Sequence, residues 1–132
     1  MQDGYFPLTV VRGVPVVTAP GDIDATNAAQ LCSALLEAAA HGHGTLVADL
    51  IRTDFCDASG LRVLLAARRQ ATAAGGEMLL VSRGPGMLRI LAITRADRYF
   101  RSFTSLEEAL AFAAVGESGG GHQVATGPGT TG

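Results

Sequence analysis

The feature that most constrains the fold is a short turn that joins an apolar strand to an apolar helix. Residues 45–51 have the apolar, β-branched character of a buried strand, and residues 61–67 have the apolar spacing of a helix. The turn between them carries Ser59, which therefore falls where several backbone N–H groups lack intrahelical acceptors. A helix start favours negative charge. A phosphate on Ser59, which adds about −1.5 to −2 charges, would accordingly be stabilised there.

The rest of the chain alternates between strand and helix patterns. Strands are predicted at residues 8–11, 14–18, 45–51, 77–81 and 99–103, and helices at residues 26–40, about 60–74, 84–92 and 105–115. The first two strands form a hairpin around Arg12-Gly13, and every later strand follows a helix. We therefore expect an α/β fold: a single domain with a mixed four- to five-stranded sheet and about four helices packed against it, largely as one α/β layer pair.

Signals for turns and helix ends support these bounds. A glycine pair at residues 75–76 stands where a helix end needs a left-handed residue, and Pro85 suits a first helical position. Ser105 and Glu108 form a capping-box pattern ahead of the last helix. Residues 21–24 are predicted to form a turn before the first helix.

The length of the chain fits one domain, because 132 residues can bury one core but not two. We assign residues 1–115 to this domain. Residues 116–132 include seven glycines and no sustained apolar periodicity, so ordering them would cost backbone entropy without burying apolar surface. The last helix is therefore expected to stop at Gly116 and to be followed by a flexible tail.

Composition excludes several classes of function. All ten basic residues are arginine, so the chain has no lysine for a Walker-A loop, a Schiff base or a kinase-type ATP site. A net charge of −2 gives no electrostatic footprint for nucleic acid. The sequence contains no run of about 18 apolar residues and no leader pattern. We expect a soluble, cytoplasmic protein without a nucleic-acid or membrane partner.

The cysteines and histidines do not indicate a disulfide, metal or cofactor site. Cys32 and Cys56 lie in apolar periodic segments and are predicted to be small core residues of a reduced protein. His41 and His43 could be a metal pair, but a zinc site needs three or four ligands and no nearby cysteine or aspartate completes the spacing. We therefore predict loop histidines and no cofactor.

A serine hydrolase is the enzymatic alternative, because a nucleophile elbow also places a serine between a strand and a helix. That motif has glycine two residues before the serine, where this chain has Asp57. No histidine stands in an apolar setting that suits a general base. The sequence therefore predicts a protein that is not an enzyme.

Four segments, taken in order, resemble the landmarks of a known family. They are residues 21–24 (GDID), 54–61 (DFCDASGL), 75–78 (GGEM) and 105–110 (SLEEAL). Together they resemble the bacterial anti-sigma factor antagonists, which are stand-alone STAS domains. The resemblance spans roughly residues 8–115, and the agreement in order makes it more specific than any one tetrapeptide.

The resemblance implies a phosphorylation switch. In that family the serine before the glycine is phosphorylated by a partner anti-sigma factor, which is an ATP-dependent serine kinase, and the matching residue is Ser59. A metal-dependent serine phosphatase resets the switch. The family often has a serine one place earlier, where this chain has Ala58, so an alternative acceptor is missing.

The same resemblance implies a partner-binding surface. It comprises Asp24, Asp57, Ala58, Ser59, Gly60 and Leu61. Three of these residues have a purely structural alternative. Ser59 or Asp57 can cap the helix that follows, and loss of such a cap costs about 1 kcal/mol of stability. Asp24 can cap the first helix, which it precedes. Residues 84–87 match a family loop near this surface, although glycine and proline at a helix start need no functional explanation.

We therefore predict an anti-sigma factor antagonist. The unmodified chain binds a cytoplasmic anti-sigma factor and frees a sigma factor, and phosphorylation of Ser59 switches it off. The alternative is a STAS scaffold subunit of a stress-signalling or lipid-transport complex, in which Ser59 is only structural. The sequence leaves the oligomeric state open.

Overall fold

The computed structural model describes residues 6–41 and 44–119, which form an α/β fold. Its strands are β1 Leu8–Val11, β2 Val14–Thr18, β3 Asp22–Ile23, β4 Leu46–Asp49, β5 Phe55–Cys56, β6 Met78–Val81 and β7 Arg101–Phe103. Its helices are α1 Ala28–Ala40, α2 Ala58–Ala73, α3 Pro85–Ile93 and α4 Leu106–Gly119, with a 3₁₀ turn at Ala96–Arg98. The order of elements is the predicted one, with β3 and β5 as additional short strands.

Five strands form the main sheet, in the order β1-β2-β4-β6-β7. β1 runs antiparallel to β2, whereas β2, β4, β6 and β7 run parallel to one another. Parallel neighbours need a crossover connection, which α1, α2 and α3 supply in turn. The predicted single domain, with a mixed sheet and about four helices packed against it, is confirmed.

Helices cover both faces of the main sheet, so the expectation of largely one layer pair holds for α1, α2 and α3 but is wrong for α4. Ala48 and Leu80 pack in a core that also contains buried residues of α1, α2 and α3. Their chain neighbours Val47 and Leu79 point to the other face, where Leu110 of α4 covers them. Strands that are apolar on both sides need such a second layer, because the parallel part of a sheet is buried on both faces.

The end of α2 requires both glycines of the predicted pair. Gly75 adopts a φ of +89° and its N–H donates to the Thr72 carbonyl at 3.0 Å, while the Gly76 N–H donates to the Ala71 carbonyl at 2.8 Å. These two bonds form a Schellman motif. A Cβ on Gly76 would overlap the backbone of Gly44, so α2 ends tightly against the segment that leads into β4.

The last helix starts as predicted but ends later. Ser105 Oγ accepts from the Glu108 N–H at 3.2 Å, which confirms the predicted cap. α4 continues to Gly119 instead of stopping at Gly116. One glycine lowers helix propensity by only about 1 kcal/mol and does not by itself end a helix. Residues 120–132 of the predicted tail lie outside the described residues.

In residues 6–41 and 44–119, no helix is long and apolar enough to cross a membrane. The same residues contain no group of three His, Cys, Asp or Glu side chains placed as metal ligands would be. His41 ends α1, and its backbone N–H donates to the Ala38 carbonyl at 3.1 Å. His43, its predicted companion, lies outside the described residues.

Candidate partner-binding site

A two-stranded parallel ladder joins the segments that the sequence treats as separate turns. In this ladder Asp22 of β3 is opposite Phe55 of β5, and Ile23 is opposite Cys56. The Asp57 N–H extends it by donating to the Ile23 carbonyl at 3.0 Å. The ladder therefore holds residues 21–24 beside the start of α2, although these two segments are far apart in the sequence.

Two further contacts anchor this ladder to the main sheet. The buried Thr53 hydroxyl donates to the Pro20 carbonyl at 2.7 Å, and the Asp54 N–H donates to the Gly21 carbonyl at 2.8 Å. Both contacts join the segment that follows β4 to the segment that follows β2, and β2 and β4 are paired in the sheet. The ladder thus continues the carboxyl-terminal edge of two parallel strands, which is where α/β sheets commonly place binding sites.

Asp57 caps α2, so the alternative in which Ser59 caps this helix is wrong. Asp57 has an extended backbone, with φ −87° and ψ −173°, and its Oδ1 accepts from the Gly60 N–H at 3.1 Å. Ala58 and Ser59 are then the first two helical residues. A capping side chain accepts from the N–H two or three residues further on, as Asp57 does. The predicted capping role of Asp57 is therefore confirmed. Ser59, the second helical residue, does not cap the helix.

The Ser59 hydroxyl is partly exposed and makes no hydrogen bond with any residue that the structure describes. Asp57 accepts from the N–H groups of Gly60, through its side chain, and of Leu61, through its carbonyl. The backbone N–H groups of Ala58 and Ser59 have no acceptor among residues 6–41 and 44–119. Ala58 is exposed and Leu61 is partly exposed, so the first turn of α2 faces outward. A hydroxyl in this position is chemically free to react.

Gly60 allows α2 to start against the ladder. It is buried, and a Cβ at this position would lie 2.5 Å from Ile23 Cγ2 and 2.7 Å from Cys56 Sγ. Real Cβ atoms do not approach other heavy atoms so closely, so a residue with a Cβ fits only if these two side chains or the start of the helix shift. The residue after Ser59 therefore fixes how far the first turn of α2 stands from the ladder.

Asp24 ends the ladder on the other side of the site. Its Oδ1 accepts from the Thr26 hydroxyl at 2.5 Å and from the Thr26 N–H at 2.9 Å. These bonds hold the pKa of the Asp24 carboxyl below its usual value, so the group is ionised at neutral pH. The cap position of α1 belongs to Asn27, so Asp24 does not cap that helix.

The side chain of Cys56 is buried under the site, where β5 faces the start of α2. Burial, and secondarily the charge of Asp57, raises the pKa of the Cys56 thiol to about 12. The thiol therefore stays protonated at neutral pH and acts as a small apolar side chain. Cys32, on α1, is also free and is partly exposed.

The start of α3 lies against the same loop. Gly84 precedes the helix and Pro85 occupies its first turn, as predicted. A Cβ on Gly86 would overlap the Asp54 carbonyl oxygen, so this helix start touches the segment just before the ladder. The sequence pattern alone gives no reason for this contact, because a glycine-proline start is common in helices.

Removal of the Asp57 cap is expected to lower the free energy of unfolding by about 1 kcal/mol, because the Gly60 N–H loses its side-chain acceptor. Asp57→Ala tests this, with Asp54→Ala as the matched control. Asp54 is exposed and its carboxylate has no partner among the described residues. Urea unfolding of both variants beside the parent chain gives the difference. Equal losses in the two variants would mean that the cap contributes nothing.

Comparison with known proteins agrees with the fold. The sequence model of the STAS domain family matches residues 5–109. The chain is 34% identical to the anti-sigma-F factor antagonist RsfB of Mycobacterium tuberculosis over 99 residues. These aligned residues cover 75% of this chain and 80% of the relative. An anti-sigma factor antagonist from Mycobacterium paratuberculosis has a similar structure, with a TM-score of 0.74, 29% identity, and coverage of 83% of this chain and 93% of the other.

A third protein shows the same fold at lower identity. It is an anti-sigma-factor antagonist (STAS) domain protein from Planctomyces limnophilus, with a TM-score of 0.72, 22% identity, and coverage of 80% of this chain and 94% of the other. The family match spans most of the chain, and the sequence relative is matched over most of its own length. The chain therefore belongs to the STAS domain family.

Proposed function

We propose that this chain is an anti-sigma factor antagonist that a phosphate on Ser59 switches off. The unmodified chain binds an anti-sigma factor in the cytoplasm through the surface formed by Asp24, Asp57, Ala58, Ser59 and Leu61, with the buried Gly60 directly behind it, and this binding frees a sigma factor. The anti-sigma factor is also a serine kinase that uses ATP, and a serine phosphatase later removes the phosphate. The chain itself catalyses no reaction.

One observation carries this proposal: the Ser59 hydroxyl is partly exposed and unpaired among the described residues, at the outer edge of a rigidly held helix start. A kinase must bring the acceptor hydroxyl into its own active site, so a hydroxyl buried in the core could not serve. The sequence relatives support the choice of partner, since RsfB of Mycobacterium tuberculosis is named an anti-sigma-F factor antagonist.

The chemical step needs nothing from this chain except the hydroxyl. Ser59 Oγ attacks the γ-phosphorus of ATP, the bond from that phosphorus to the β,γ-bridging oxygen breaks, ADP leaves, and the hydroxyl proton passes to a base of the kinase. The reacting atoms must come within about 3–3.5 Å of each other beforehand. After transfer, the new phosphoserine therefore stands next to the phosphates of ADP.

This position explains why phosphate ends the association. About −1.5 to −2 charges must remain desolvated in an interface, close to other anionic groups. A loss of only about 4 kcal/mol weakens binding about a thousandfold. Phosphate at the first turn of α2 is also favoured within the chain, because it meets the positive end of the helix and the free N–H groups of Ala58 and Ser59. Release then results from charge and not from unfolding.

A displacement assay tests the proposed function. A complex of a fluorescently labelled sigma factor with its anti-sigma factor is titrated with the unmodified chain in the presence of ADP. The expected result is release of the sigma factor, seen as a fall in fluorescence anisotropy. If the sigma factor stays bound at every chain concentration for each anti-sigma factor of the source organism, the chain is not an antagonist.

A further inference from the structure

A half-exposed phenylalanine lies next to the proposed site. Phe55 exposes 49% of its surface, although its neighbour Cys56 is buried, because successive residues of β5 point to opposite sides of the ladder. Leu88 on α3 is 42% exposed, and α3 packs against β5. We call Phe55 and Leu88 the Phe55 patch. Both residues belong to elements that contact each other, and exposed apolar side chains on neighbouring elements are candidates for contact with another protein.

Two carboxylates without partners flank this patch. Asp22 is opposite Phe55 in the ladder, and Asp54 precedes it in the chain. Both side chains are exposed, and neither forms a hydrogen bond or an ion pair with any residue that the structure describes. The exposed arginines Arg52, Arg62 and Arg83 also form no ion pair within that part of the chain. The carboxylates of Asp22 and Asp54 are therefore available to a partner.

From these observations we infer that Phe55 is the apolar anchor of the interface with the anti-sigma factor. Its ring enters an apolar pocket of that partner, and the pocket is rimmed by arginine or lysine side chains that pair with Asp22 and Asp54. This inference rests on the proposed function and adds to it the chemistry of the partner surface. Aromatic side chains at the centre of an interface typically carry a large part of its binding energy.

Position decides between possible occupants of the patch. Phe55 lies in the short strand that leads directly into α2, so a protein that covers the first turn of α2 also reaches this patch. A basic surface on that protein can pair with Asp22 and Asp54. The basic rim also differs from the part of the partner that faces Ser59, because that part holds the phosphates of the nucleotide. The partner thus presents cations to the ladder and anions to the helix start.

Affinity measurements on Phe55→Ala test the inference. Titration calorimetry with the anti-sigma factor and ADP is expected to show at least about thirtyfold weaker binding, which corresponds to an interface hot spot. Tyr99→Ala is the matched control, because Tyr99 is an aromatic residue exposed to 51%. Tyr99 precedes β7 whereas Phe55 follows β4, so the two rings lie at opposite edges of the parallel sheet. The control is expected to bind like the parent chain.

The charged rim has its own readout. Binding of the parent chain is expected to weaken as salt is added, and the double variant Asp22→Asn, Asp54→Asn is expected to show weaker binding and a smaller salt dependence. Thermal melting of each variant shows that the fold is unchanged, since all three side chains are exposed.

Each other outcome overturns the inference in an identifiable way. Parent-like affinity of Phe55→Ala removes the anchor, and an unchanged salt dependence of the double variant removes the basic rim, while the proposed function stands in both cases. Conversion of a parent dimer to a monomer by Phe55→Ala makes the occupant a second copy. Absence of binding by the parent chain itself overturns the proposed function as well.

Discussion

Once phosphorylated on Ser59, the chain is expected to bind its anti-sigma factor about a thousandfold more weakly than the unmodified chain, and to melt at no lower temperature. The two effects have opposite causes. In the complex, the phosphate stays desolvated near the nucleotide of the kinase. In the free chain, it lies at the first turn of α2, where negative charge typically stabilises a helix by about 0.3–1 kcal/mol.

Calorimetric titration and thermal unfolding of the same two samples measure both effects. Ser59→Ala is the control for the missing hydroxyl: it should melt like the unmodified chain, because the Ser59 hydroxyl makes no hydrogen bond within the described residues. A phosphorylated chain that has lost its cooperative melting transition would mean that release results from unfolding. A phosphorylated chain that binds as tightly as the unmodified one would mean that Ser59 does not control the association.

Gly60→Ala is expected to lower the free energy of unfolding by about 1–3 kcal/mol, because the added methyl group overpacks a buried contact. The new Cβ would meet Ile23 and Cys56, which are both buried, at 2.5 and 2.7 Å. Relief requires Ile23 and Cys56 to repack or the first turn of α2 to move away from the ladder, and a move of the first turn also moves Ser59. The same variant is therefore expected to bind the anti-sigma factor more weakly than the parent chain.

Gly21→Ala is the matched control for this change. Gly21 adjoins the ladder, has no positive φ, and a Cβ there would lie 3.7 Å from the Arg52 carbonyl oxygen, which is an ordinary contact. Urea unfolding should separate the two glycine variants clearly, with Gly21→Ala close to the parent chain. If both variants unfold like the parent, α2 can shift without cost and Gly60 does not position Ser59.

Much of the fold could be predicted because most elements carry a repeated signal. The apolar spacing of α1 and α2 and the β-branched runs of the main sheet extend over enough residues for their periods to be read. Helix ends were predictable where one residue type has a conformational reason to be there, such as the left-handed Gly75. The end of α4 was not, because a single glycine does not stop a helix.

The small ladder had no such signal. β3 and β5 have two residues each, which is too short for alternation, and their pairing joins positions that are more than 30 residues apart. The closeness of Asp24 to the start of α2 therefore followed only from the family resemblance and not from the residue pattern. The sequence pattern also could not predict whether Ser59 lies in the helix or caps it. Asp57 and Ser59 are both favourable capping residues, and only the backbone geometry distinguishes between them.

The proposed switch requires that Ser59 carry the charge that ends binding. The chain is incubated with its anti-sigma factor and ATP, and phosphopeptides are mapped by mass spectrometry while complex formation is followed in the same sample. The expected result is one phosphate per chain on the peptide that contains Ser59, loss of the complex as the phosphate accumulates, and neither effect in Ser59→Ala. An unmodified Ser59 peptide in a complex that dissociates on addition of ATP would contradict the proposed switch.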